Sequence, residues 1–157
     1  MPLRKVEEFL ESNKIKYEKI SHSQAFTAQE IAASAHIPGK ELAKTVMVKV
    51  DGKMAMAVLP ASHRVDFNLL KAAAEATKVE LAKEGEFRDT FPDCEVGAMS
   101  PFGNLYELDV FVEENLAENE KIAFNAGSHT ELIRVPYKDF KAHVKPKVAI
   151  FSSGLEK

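Results

Sequence analysis

The stretch that most constrains the fold is Leu42–Pro60, "LAKTVMVKVDGKMAMAVLP". β-Branched alternation before Asp51-Gly52 and an apolar run after it predict a hairpin. Asp-Gly tolerates the positive φ that a two-residue turn demands. The alternation also sorts side chains, with Leu42, Lys44, Val46 and Val48 on one face and Ala43, Thr45, Met47 and Lys49 on the other. Lys44 therefore shares its face with apolar residues only. A lysine so placed costs free energy unless it meets an acid, a carbonyl array or a ligand, which makes it the first candidate functional residue. The competing reading is that its stem runs along the sheet and its ammonium reaches water.

Around the hairpin the chain mixes helix and strand signals. "PLRKVEEFLESN" places Leu3, Val6, Phe9 and Leu10 at helical spacing, and "IKYEKIS" alternates as a strand. Thr27 and Glu30 form a capping box for a helix through about His36, stopped by Pro38-Gly39. Asp66 caps a helix over "FNLLKAAAEAT", and "EFRDTFP" reads as a short helix stopped by Pro92. "LYELDVFV", "KIAFNAG", "TELIRVP" and "KVAIF" read as strands, with "YKDFKAHV" as a helix before the last. There is no regular βαβ alternation, no repeat and no linker. The expectation is one α+β domain over residues 1–157, a mixed, largely antiparallel sheet, partly barrel-like, surrounded by helices.

Charge and composition exclude several classes. The net charge of −3 argues against indiscriminate coating of nucleic acid, so DNA is not an expected partner. The charges are nonetheless segregated. Glu107, Asp109, Glu113, Glu114, Glu118 and Glu120 follow one another, and Arg134, Lys138, Lys141, Lys145 and Lys147 crowd near the C-terminus. That pattern suits either two solvated faces or a defined phosphate-bearing ligand. No apolar run is long enough to span a membrane, and Cys94, the one cysteine, has no internal disulfide partner, so a cytoplasmic protein is expected. His22, His36, His63, His129 and His143 are scattered with no ligand spacing, so neither metal nor cofactor is expected. Cys94 reads more readily as a small buried hydrophobe than as a nucleophile served by His129.

Two turns complete the candidates. "EVGAMSPFGN", Glu95–Asn104, holds Gly97, where a backbone group can approach a ligand closely, Pro101, which fixes the turn, and Phe102, expected to wall a small pocket. "NAGSHTEL", Asn125–Leu132, presents His129 from a Gly-Ser turn.

The strand lysine in "LAKTVMV", "GAMSP" continuing into "FG", the "AGSH" turn and "ASHRVDFNLLKAA" occur together in one chain. In that order they resemble the YbaK-like, prolyl-tRNA-synthetase-associated editing domains, freestanding aminoacyl-tRNA deacylases, over most of the chain. The resemblance implies that fold and hydrolysis, in trans, of an amino acid wrongly esterified to tRNA. It implies an essential role for Lys44, backbone contacts from Gly97, a pocket shaped by Pro101 and Thr45, and secondary contacts from Gly127, Ser128 and His129. The implied partners are the acceptor end of an aminoacyl-tRNA, with Lys141, Lys145 and Lys147 as basic contacts, and a prolyl-tRNA synthetase. Thr45 beside the lysine resembles the branch that removes cysteine, and the "GSH" turn the branches that remove alanine, serine or threonine. The balance leans to alanine, or another small amino acid such as cysteine, on tRNA for proline. The alternative is a non-catalytic module of the same fold that holds tRNA or a synthetase.

Overall fold

The computed structural model describes residues 2–21, 41–61, 63–83, 85, 101–125 and 131–154. The Thr27 capping box, the "EFRDTFP" segment and Cys94 lie outside them.

The hairpin forms as its pattern predicts. β2 (Leu42–Val50) pairs antiparallel with β3 (Lys53–Pro60), with Lys44 opposite Leu59 and Val50 opposite Lys53. Asp51 and Gly52 have φ of 50° and 84°, the left-handed pair that a tight hairpin requires. The Asp51 carboxylate also accepts from the amides of Thr77 (2.9 Å) and Lys78 (2.8 Å). The turn is therefore tied to the chain entering β5 (Val79–Leu81), which pairs with the far end of β2.

The remaining strands build an open mixed sheet. β1 (Glu18–Ser21), β8 (Glu131–Pro136), β7 (Lys121–Asn125), β2, β3, β6 (Asp109–Glu113) and β9 (Lys147–Ala149) lie in that order, with β5 beside β2. Among the described residues four of its pairings are antiparallel and three parallel. A separate two-stranded ribbon joins β4 (His63–Val65) to β10 (Ser152–Gly154). β4, β5 and β10 had no distinct sequence signal, because three-residue strands carry almost no periodicity.

The sheet is covered on both faces. One core gathers Ala43, Met47, Met56, Val58, Phe124 and Ile133 with Val6 and Leu10 of α1 (Pro2–Ser12) and Tyr137 and Phe140 of α4 (Tyr137–Val144). The other packs Val48, Ala55, Ala57, Leu59 and Phe111 against Leu70 of α2 (Phe67–Ala74) and Phe151. α1 is pinned by the Tyr17 hydroxyl, which donates to Glu11 Oε2 at 2.9 Å. Asp66 caps α2 as expected, accepting from the amides of Asn68 (3.0 Å) and Leu69 (3.1 Å). The helix stops at Ala74 rather than Thr77, because Glu75 turns left-handed and the Thr77 and Lys78 amides are taken by Asp51.

Two strand expectations are corrected. "LYELDVFV" is a 3-10 turn over Gly103–Tyr106 followed by a strand only from Asp109. Glu107, left-handed at φ 58°, separates them. Gly103 is required there, since a Cβ would come within 2.5 Å of Val110 Cγ2. "KVAIF" ends as a strand at Ala149. Glu113 sits fully buried at the end of β6, and its Oε1 accepts from the Phe151 amide (2.9 Å), the Ser152 amide (2.8 Å) and the Ser152 hydroxyl (2.8 Å). This carboxylate draws the chain off the sheet and into β10. Its Oε2 accepts from the Asn115 amide at the start of α3 (Glu114–Ala117). A buried structural carboxylate hidden in an acidic run gives no sequence signal beyond its apolar neighbours.

Candidate functional site

Lys44 lies where the edge of β2 changes partner. Leu42 and Ala43 register in parallel with Ala123 and Phe124 of β7, and Val48–Val50 register antiparallel with β5. Between them, no described strand is in register with residues 44–47 on that edge. Among the described residues the sheet is thus split beside Lys44.

The face assignment read from alternation holds. Ala43 and Met47 enter the core under α1 and α4, and Val46 and Val48 pack on the opposite side. Lys44 is partly buried on that second side, and no carboxylate pairs with it among the described residues. Its pKa is lowered from the ordinary lysine value, first by desolvation and then by the Arg64 guanidinium. Arg64 reaches it from β4, where it pairs with Ser153. Two cations without a described counter-ion, near a stretch of β2 edge that no described strand pairs, favour an anion or developing negative charge.

Asn125 adjoins this arrangement. It ends β7 opposite Leu132, one residue past Phe124, whose register partner is Ala43, so alternation puts it on the Lys44 face of the sheet. Its Oδ1 is buried and has no hydrogen-bond partner among the described residues. Nearby, Arg134 and Glu41 are joined by two contacts, Nη2 to Oε1 at 2.6 Å and Nε to Oε1 at 2.9 Å. Arg134 is thereby spent on fixing the entry of β2 against β8.

Several expected site residues fall elsewhere. Thr45 is buried, but it faces the side opposite Lys44. Phe102 is corrected from pocket wall to core. It is fully buried among Phe9, Phe124 and Phe140, with ring centroids 5.6, 5.5 and 5.3 Å away, on the side away from Lys44. Pro101 is buried beside it, and its carbonyl accepts from the Gly103 amide at 2.9 Å. Gly97, Gly127, Ser128 and His129 lie outside the described residues. Lys141 and Lys145 are exposed on and after α4, whereas Lys147 lies on edge strand β9, 3.9 Å from Glu75.

Arg64 and Asn125 were not singled out by sequence reading. Arg64 stood inside "ASHRVDFNLLKAA" and Asn125 opened "NAGSHTEL", but only the register of distant strands brings them to Lys44.

Comparison with known proteins is consistent with this architecture. A family model described as an aminoacyl-tRNA editing domain matches residues 22–142. Proline–tRNA ligases of Bacillus mycoides (strain KBAB4) and Bacillus cytotoxicus are 26% and 29% identical to the chain over 100 residues, 64% of its length. The chain spans 18% of the length of each of these relatives. The crystal structure of hypothetical protein APE2540 superimposes with a TM-score of 0.83 at 22% identity, covering 95% of this chain and 99% of that one. A protein provisionally named a trans-editing enzyme for prolyl-tRNA synthetase gives 0.82 at 19% identity, with 98% of each chain covered. These two likenesses establish the fold.

Proposed function

We propose an editing activity on the premise that this chain belongs to the aminoacyl-tRNA editing domain family, whose model spans residues 22–142. The protein hydrolyses, in trans, the ester of a small amino acid, alanine or cysteine, mischarged on tRNA for proline. The observation that carries the reading is Lys44, partly buried beside Arg64 with no described carboxylate to neutralise it.

The chemistry asks little of side chains. An aminoacyl ester is activated, and water attacking its carbonyl carbon places negative charge on the carbonyl oxygen before the bond to the ribose oxygen breaks. The water's protons end on the released ribose hydroxyl and the amino acid. Lys44 stabilises either that oxyanion or the phosphate of the terminal adenosine, and the neighbouring guanidinium strengthens the local field. Backbone groups at Gly97 hold the ester, with Gly127, Ser128 and His129 beside it. Thr45 and Pro101 support the wall from the core side. A small cavity then sorts amino acids by size. Lys141, Lys145 and Lys147 supply charge for the tRNA.

The test is hydrolysis of a panel of mischarged tRNAs. Alanyl-tRNA for proline is the expected substrate, and Lys44→Ala should lower its turnover by about 100-fold or more, the scale of losing one charge-stabilising group. If the unmodified protein releases no amino acid faster than buffer, the deacylase reading fails and the binding-module alternative replaces it.

A further inference from the structure

Where the β4–β10 ribbon meets the end of β6, a serine, a histidine and an acid are joined, but not in the order of a hydrolytic triad. Ser152 Oγ stands 2.8 Å from Glu113 Oε1 and 2.9 Å from His63 Nδ1, so the serine is in the middle. Glu113 Oε1 also accepts the Phe151 and Ser152 amides, and an oxygen so engaged offers the hydroxyl only a lone pair. The Ser152 proton therefore points at Glu113, and the hydroxyl oxygen accepts from Nδ1–H of His63. With its proton held by the acid and no base to take it, Ser152 is not a nucleophile.

What the chain of contacts does hold is β4. A strand of three residues has little pairing of its own. Its entry is tied to β2 two residues before Lys44, where the Ala61 amide donates to the Leu42 carbonyl at 2.8 Å. Its exit is tied to the Phe151 carbonyl, which accepts from the Asp66 amide at 2.7 Å. Between these ends His63 links the strand, through Ser152, to an acid that is fully buried. His63 and Arg64 are neighbours on extended backbone, so their side chains leave opposite faces. Fixing the imidazole on one face orients the guanidinium on the other. Arg64 is exposed and has no carboxylate partner among the described residues, so its direction comes from its backbone. It is also the charged group among them that acts on Lys44.

We infer that Glu113, Ser152 and His63 are positioning residues for the candidate site, holding β4 so that Arg64 faces Lys44. The consequence for catalysis rests on the deacylase reading, whereas the placement of Arg64 does not. None of the three has to touch the substrate. They act on it through Arg64.

The experiment reads the Lys44 pKa in the folded full chain by NMR of lysines labelled with carbon-13 at Cε. Ser152→Ala and His63→Leu each cut the link and leave Glu113 in place. That matters because Glu113 lies two strands from Lys44, across Leu59, and its own charge must stay constant. Arg64→Gln gives the size of the effect when the guanidinium is lost. Ser152→Ala and His63→Leu should raise the Lys44 pKa toward 10.5, as Arg64→Gln does, and should add nothing in the Arg64→Gln background. Ser152→Thr, which keeps the hydroxyl, should restore the parent value. Turnover of alanyl-tRNA should fall about tenfold in Ser152→Ala and recover in Ser152→Thr. A variant that melts lower yet keeps the parent Lys44 pKa overturns the inference, because the link is then only structural. A rise that persists in the Arg64→Gln background overturns it too, as does an Arg64→Gln variant with no rise at all. If Ser152→Ala does not fold, His63→Leu decides on its own. If the parent cleaves no ester, the deacylase reading fails, and the Lys44 titration still decides the placement of Arg64.

Discussion

At neutral pH the Lys44 ammonium stands partly out of water and beside Arg64, and both effects weaken its hold on its proton. Its folded pKa lies below its unfolded value, so between the two the unfolded chain binds more protons and stability rises with pH. Below that window the charged lysine opposes folding by its full penalty. Lys44→Met should therefore raise the melting temperature at pH 7 while abolishing deacylation. The gain over the parent should shrink as the melts are repeated toward and above pH 10.5, the ordinary lysine value, as the parent's lysine discharges in both states. A variant that melts lower at pH 7 would mean that Lys44 has a stabilising partner. Tyr17 shifts the other way: burial, then the hydrogen bond to Glu11, push its phenol to about 12. That contribution is complete below the ordinary tyrosine pKa of 10 and disappears as pH rises toward 12.

Among the elements, the β2–β3 hairpin shows how one position answers two demands. Asp51 must adopt positive φ and must also accept two amides from the segment before β5. Asp51→Ala should cost about 1–3 kcal/mol in urea unfolding, from the loss of charge-assisted hydrogen bonds to two exposed amides plus left-handed strain. Asp51→Gly, which keeps the backbone conformation, isolates the hydrogen-bond share and should lose less. The hairpin, the Asp66 cap and α4 were all legible in the sequence because their signals are local: a turn dipeptide, a capping side chain, a 3.6-residue period. Phe102 misled because an aromatic in a Gly-Pro turn looks the same whether it faces a ligand or the core. Only the packing of Phe9, Phe124 and Phe140 around it decides.

At the scale of the whole molecule, the pieces nearest Lys44 come from well-separated parts of the chain: β4 and β7. Sequence gave the lysine and its face, since both follow from alternation along one strand. It did not give Arg64 or Asn125, whose approach depends on a parallel register and a short ribbon that no local pattern encodes. The same non-local wiring explains Glu113, which reads as one more surface acid until β10 folds against it. Native-state hydrogen exchange should rank these parts. The amides of Val48, Ala57 and Val58 should exchange only through global unfolding, and those of the β4–β10 ribbon through smaller openings. Equal protection in both would mean that the ribbon is not a separate unit.

The divided edge of β2 has a last consequence. A strand held by β3 along one side, and clamped near each end of the other by β7 and β5, cannot slide or tilt without breaking three pairings at once. Lys44 is therefore anchored at both flanks while no described strand pairs the edge beside it. A small molecule that competes there would meet a cation whose backbone is already fixed, and would lose little affinity to ordering the protein around it.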